Sequence, residues 1–292
     1  MNFQKYLHPL VFIPFLLLLL VQTSCEKFSG DQTIPAYLKI DSIRLQTVYS
    51  TQGTASHNIT DAWVYIDGDF IGTFQLPARF PVLKQGPHTV EILPGIKKDG
   101  IASTRVNYPF FGKISKSITL TPDTTTNIGL LTAQYSTSTK FLWREDFDDL
   151  AITLDTTKAT MVKVALTPPD SPLTFEGLHS GMITMDTAHP EFECVSHQTF
   201  YVPNSQTFLE LNFKSTTTMD VGVYLTVNTI VYQTSVLTLF ASPDKWKKIY
   251  IDLTNALNAN TGTTNFRVYF YSKNTGTTTE TIFLDNIKLL SF

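Results

Sequence analysis

The sequence predicts an all-β chain, and three observations lead there. Threonine is abundant, and 21 Phe and 12 Tyr stand among the 292 residues; β-branched and aromatic side chains suit a pleated, half-buried surface. From residue 37 onward the chain breaks into short alternating runs separated by Gly, Pro, Asn and Asp. Many strands with turns every 8–12 residues or so give such a pattern, in a sandwich or a barrel. No stretch sustains helical periodicity; the one short helix candidate, residues 253–258, is equally well a turn.

The N-terminus carries its own signal. Lys5 supplies positive charge and residues 10–21 (LVFIPFLLLLLV) an apolar core. Twelve helical residues rise about 18 Å, short of a bilayer core of about 30 Å. Gln22-Thr23-Ser24 then precedes Cys25, where a signal peptide would be cut. The alternative is a single-pass anchor with an incidental cysteine. Val-Gln-Thr-Ser-Cys-Glu-Lys resembles the lipobox of bacterial lipoproteins, in the form found in Bacteroidota, with Gln22 where leucine is usual. That resemblance implies lipidation of Cys25 and anchorage in the outer membrane, at the cell surface or on the periplasmic side. Several acyl chains at about 0.8 kcal/mol per buried methylene would hold the protein there. Cys194 then has no intrachain partner and reads as a small buried hydrophobe.

Residues 25–36 are polar, include a proline and read as a tether. A net charge of −3 with no basic cluster excludes nucleic acid as a partner. The run Ser136-Thr137-Ser138-Thr139 marks a linker at 136–140, between units at 37–135 and 141–292.

In the first unit, Asp67-Gly68 between alternating apolar residues signals a tight hairpin. A proline-marked crossing (Leu76-Pro77, Phe80-Pro81) and the return strand after Gly86-Pro87-His88 follow, and Trp63 is expected in the core. This order resembles the PEGA domain and carboxypeptidase regulatory-like sandwiches, which implies a small non-catalytic β-sandwich. Residues 117–120 and 126–133 close the unit as strands.

The second unit opens with Trp143-Arg144-Glu145-Asp146-Phe147-Asp148 and closes with Leu284-Asp285-Asn286-Ile287. Trp246-Lys247-Lys248-Ile249 precedes Asp252-Leu253. The order resembles the galactose-binding-like jelly roll of many carbohydrate-binding modules, which implies a larger jelly-roll sandwich with Trp246 in its core. In calcium-binding members of that group, an opening acidic residue and the closing aspartate hold the ion. The match implies Asp148, or Asp146, together with Asp285 as ligands of a structural calcium; an ordinary turn cap and a strand-end residue explain them too.

Signals of catalysis are poor. There is no His-Glu-x-x-His and no phosphate-cradling glycine loop, and Gly177-Leu178-His179-Ser180-Gly181 has histidine where a nucleophile elbow needs serine. No catalytic residue is assigned. Flat rings that could cover sugar faces are Trp143, Tyr224 and Tyr269, with Tyr232 and Tyr271 also available. Two functions stay open: a binding or scaffold subunit engaging an outer-membrane protein, and a surface lipoprotein retaining glycans for a neighbouring transporter. An exposed aromatic pair on a concave face would favour the second.

Overall fold

The computed structural model describes residues 34–292 apart from residues 150, 159 and 161. The signal peptide, Cys25 and residues 25–33 of the tether lie outside the described residues. Among the described residues four sheets account for the strands. One joins β1 (Ala36–Gln46) to β4 (Ala78–Val82) and, in parallel, to β8 (Thr125–Gln134). A second orders β3 (Asp69–Gln75), β2 (Asp61–Ile66), β5 (Gly86–Lys97) and β6 (Arg105–Asn107), with β7 (Ile114–Leu120) also on β5. These two sheets bury Leu38, Ile40, Val64, Ile66, Val90, Ile92 and Leu131 between them.

The β2–β3 hairpin turns at Asp67 and Gly68, with φ of 52° and 87°. Positive φ at both central residues matches the right-handed strand twist, which is why Asp-Gly stands there. His88 is part of the same construction. Its Nδ1 lies 2.5 Å from Asp67 Oδ2, and the Thr89 amide donates to Asp67 Oδ1 at 3.0 Å, so the return strand clamps the turn.

The third sheet orders β10 (Leu154–Thr156), β13 (Glu191–Ser196), β19 (Thr263–Lys273), β16 (Met219–Val227) and β17 (Ile230–Leu239), with β14 (Phe200–Tyr201) also on β19. The fourth orders β11 (Ala165–Leu166), β12 (Gly181–Met185), β20 (Glu280–Ser291), β15 (Thr207–Ser215) and β18 (Ser242–Asp252), with β9 (Lys140–Glu145) also on β20. Their facing sides bury Phe192, Cys194, Leu211, Val223, Phe270 and Leu289 in one core. Cys194 is fully buried, as the sequence predicts. Among the described residues, helix is confined to α1 (Tyr49–Gln52) and α2 (Thr254–Leu257), the latter inside the predicted 253–258 stretch.

Three expectations fail on which way a side chain points. Trp63 is half-buried rather than core. Ala62 and Val64 take the inner positions of β2, and the Trp63 ring lies over Gly95, where a Cβ would come within 2.2 Å of it. Trp246 is likewise half-buried on the outer side of β18, against Phe175 and Phe283 at centroid distances of 5.2 and 6.1 Å. Ile249 and Ile251 hold the inner positions of that strand. Trp143, expected as a sugar platform, is 6% exposed in the core, its Nε1 donating to Thr153 Oγ1 at 2.8 Å.

β15 and β20 are buried on both faces, because strands preceding residue 136 pack on the outside of the fourth sheet. Leu45, Ile96, Tyr108, Phe110, Phe111 and Tyr135 meet Phe208, Tyr250 and Leu290 there. Tyr108 stands edge-on to Tyr250 and Phe208 at 4.9 and 5.4 Å. The loop after β1 also lies across this face. Thr54 Oγ1 donates to Asn286 Oδ1 at 2.7 Å, Ser56 Oγ to Asn212 Oδ1 at 2.8 Å, and the Asn58 amide to the Tyr250 hydroxyl at 2.8 Å.

Candidate functional site

The outer side of the third sheet carries a concentration of aromatic and polar side chains. Alternation along its strands decides what lies there. On β19, Phe266, Val268 and Phe270 enter the core, leaving Asn265, Arg267, Tyr269 and Tyr271 outside. On β16, Val221, Val223 and Leu225 point inward, leaving Asp220, Gly222, Tyr224 and Thr226 outside. On β13, Phe192 and Cys194 are inside and Glu191 and Glu193 outside.

Register brings the rings together. Tyr269 pairs with Gly222 and Arg267 with Tyr224. A Cβ on Gly222 would stand 2.5 Å from the Tyr269 ring and 2.3 Å from the Thr234 carbonyl, so only glycine lets the ring lie flat on the sheet. The Tyr224 and Tyr269 centroids are 5.3 Å apart. Tyr269 is 3% exposed and forms the floor, while Tyr224 and Tyr271 stand half-exposed above it.

Glu193 organises the centre of this face. It is 4% exposed and accepts from Tyr224 Oη at 2.9 Å, Gln233 Nε2 at 3.0 Å and Thr157 Oγ1 at 2.7 Å. Gln233 comes from β17 and Glu193 from β13, so their side chains lean toward each other across the two strands between. Tyr271 Oη donates to Glu191 at 2.8 Å. At one margin Arg267 donates through Nε to the Ser196 carbonyl at 2.6 Å and through Nη2 to Asp155 at 2.5 Å. His197 holds the other Asp155 oxygen at 2.8 Å, and its hydrogen bond, then Arg267, keeps the Asp155 carboxyl below its usual range.

Burial, with the Glu193 hydrogen bond, raises the Tyr224 phenol well above its ordinary value; burial, with Glu191, pushes Tyr271 up to about 12. Both hydroxyls therefore stay protonated donors near neutrality. The arrangement offers flat rings beside carboxylates, a carboxamide and a guanidinium: groups that cover apolar C–H surfaces and hydrogen-bond to hydroxyls.

Of the rings named from sequence, Tyr224, Tyr269 and Tyr271 come together here; Tyr232 pairs with Leu225 near the β16–β17 turn and is 47% exposed. Glu193, Gln233 and Arg267 were missed. The alternation Glu191-Phe192-Glu193-Cys194 was the available signal, since two apolar residues in one phase put both glutamates in the other.

The predicted calcium ligands are differently engaged. Asp285 is 1% exposed, accepting from Ser180 Oγ at 2.5 Å and the Asn286 amide at 2.7 Å. Burial, with Glu176 and Asp148 adding negative potential, pushes its carboxyl up to about 8 against those hydrogen bonds. Asp148 accepts from the Leu178 and His179 amides at 2.5 and 3.3 Å. Asp146 accepts from Tyr49 Oη at 2.8 Å. Among the described residues no three His, Cys, Asp or Glu side chains are grouped to hold a metal ion. Hard cations want 6–8 or so oxygens, and this donor set does not fit that need.

No family model matches the chain, and no curated protein does. Among solved structures, a carbohydrate-binding module of the β-sandwich superfamily with promiscuous specificity is similar at 13% identity and a TM-score of 0.38. That match covers 79% of this chain and 84% of that one. The CBM22-2 xylan-binding domain of Xyn10C from Paenibacillus barcinonensis is similar at 12% identity and a TM-score of 0.37, over 52% of this chain and 99% of its own. The enzymatically active domain of bacteriophage CBA120 tailspike protein 4 is similar at 12% identity and a TM-score of 0.38, over 50% of this chain and 20% of its own.

Proposed function

We propose that the protein is a non-catalytic glycan-binding lipoprotein, taking its ligand on the outer face of the third sheet and held at the outer membrane by lipid on Cys25. The observation that carries this reading is the partly exposed Tyr224 and Tyr271 rings, Tyr224 packed 5.3 Å from the buried Tyr269 that lies over Gly222, with Glu193, Gln233 and Arg267 beside them. Rings that keep their hydroxyls protonated, with acceptors and donors already oriented by one another, suit a neutral polyhydroxylated ligand. Preorganised polar groups lose little freedom when the ligand arrives. Of the two functions open at the sequence level, glycan retention is the one this face supports; a scaffold subunit of an outer-membrane complex has no comparable feature in its favour. The test is a panel of soluble neutral polysaccharides run in affinity gels against the wild type and Tyr271→Ala. Retardation of the wild type, weakened in the variant, is expected; no retardation by any of the glycans overturns the reading.

A further inference from the structure

We infer that the binding face continues one row further along the same sheet, where Tyr201 forms a second sugar subsite. This rests on the glycan reading of the Tyr224 row and adds the requirement that the ligand be an extended chain.

β14 is only two residues long, and they divide sharply. Phe200 is 4% exposed in the core, whereas Tyr201 is 86% exposed on the outer face. Tyr201 pairs with Asn265, Asn265 with Thr226, and Thr226 with Val231. These four residues make one row across four strands, three strand spacings or about 14 Å wide. It lies two residues along the strands, about 7 Å, from the row of Arg267, Tyr224 and Gln233, and points the same way. Its floor is a carboxamide and a hydroxyl, and its ends are a phenol ring and the Val231 side chain, itself 60% exposed.

Among the described residues no hydrogen bond or ring contact engages the Tyr201 side chain, in contrast to Tyr224, Tyr269 and Tyr271. An exposed ring on a paired strand, beside uncharged donors and acceptors, fits the apolar face of a neutral sugar. Tyr201 and Tyr224 stand two strands and one row apart, about 12 Å along the diagonal at the backbone. A monosaccharide reaches one of them. A chain of several linked units reaches both.

The experiment is calorimetric titration of the full chain with xylose and glucose oligomers of increasing length and with soluble xylan and mixed-linkage glucan. In the wild type, affinity is expected to rise with chain length. Tyr201→Ala should abolish that rise, costing at least fivefold on the longest ligands and less than twofold on the shortest; Tyr201→Phe, which keeps the ring, should restore it. Tyr224→Ala should weaken all lengths. If Tyr201→Ala matches the wild type on long chains while Tyr224→Ala does not, the second subsite is overturned and the first stands. If the wild type binds none of these probes, both fall.

Discussion

The Glu210 carboxylate on β15 accepts a 2.8 Å hydrogen bond from Tyr108, more than a hundred residues earlier in the chain and on the other side of residues 136–140. The same carboxylate accepts from Tyr135 at 3.1 and 3.0 Å and lies 3.3 Å from Lys248 Nζ. Glu210 is fully buried and Lys248 nearly so. Breaking such a pair leaves one charge uncompensated in the interior and costs about 3–5 kcal/mol. Glu210→Ala is therefore expected to lower stability by that order, in one cooperative transition that carries both sets of sheets. A urea melt in which one set unfolds at its wild-type midpoint contradicts the coupling.

Lys288 gives this contact a pH dependence. It is 1% exposed, donates to the Thr54 carbonyl at 2.6 Å, and burial brings its ammonium down to about 7 against the pull of Glu210. An unfolded lysine titrates near about 10.4, so between about 7 and about 10 the unfolded chain holds the extra proton. Stability contributed at this site accordingly rises with pH across that window. Lys288→Met should flatten the difference between denaturation midpoints measured at about pH 6.5 and about pH 9. An unchanged slope in the variant means that Lys288 remains charged in the folded protein.

Asp285 runs in the opposite sense. Its folded value of about 8 lies above the unfolded carboxyl, so the folded state holds the extra proton and stability falls as pH rises from about 4 to about 8. Asp285→Asn should remove that fall and leave the fold intact, being nearly isosteric. Calcium and chelator should give the same thermal midpoint at neutral pH. A calcium-bound site would instead gain about 2.7 kcal/mol at a hundredfold excess over its dissociation constant. A midpoint raised by calcium, and lost in Asp285→Asn, contradicts the uncharged acid.

Anchorage is tested apart from the fold. Cys25→Ala should leave an uncut or soluble product, and mass spectrometry is expected to find an acyl group on the wild type that the variant lacks. A variant that stays with carbonate-washed membranes, together with an unacylated wild type, contradicts lipidation.

The all-β class, the Asp67-Gly68 hairpin and the burial of Cys194 were legible in sequence because each depends on local pattern alone. The three tryptophans were not. Trp63, Trp143 and Trp246 sit in strands where both phases carry large apolar residues, so alternation leaves the inward phase undetermined. Neighbours settle it: Gly95 makes room for Trp63, while Trp143 pairs with Leu289 of the closing strand. The Phe208-Leu209-Glu210-Leu211-Asn212-Phe213 run reads as a half-exposed strand, and it is buried on both sides only because Tyr108 and the Thr54 loop arrive from far away in the chain. The proposed binding face was partly legible. Tyr224 and Tyr269 were named from residue type, but their meeting depends on a β16–β19 register that no local signal encodes.

The glycan site proposed on the Tyr224–Tyr269 face of the third sheet has an aromatic rival in the Phe175–Trp246 contact outside the fourth. Calorimetric titration of one neutral polysaccharide into Tyr224→Ala and Trp246→Ala compares them directly. The expected result is a loss of at least tenfold, about 1.4 kcal/mol, for Tyr224→Ala and less than twofold for Trp246→Ala. A tenfold loss for Trp246→Ala with wild-type affinity in Tyr224→Ala would move the site to the fourth sheet and contradict the assignment.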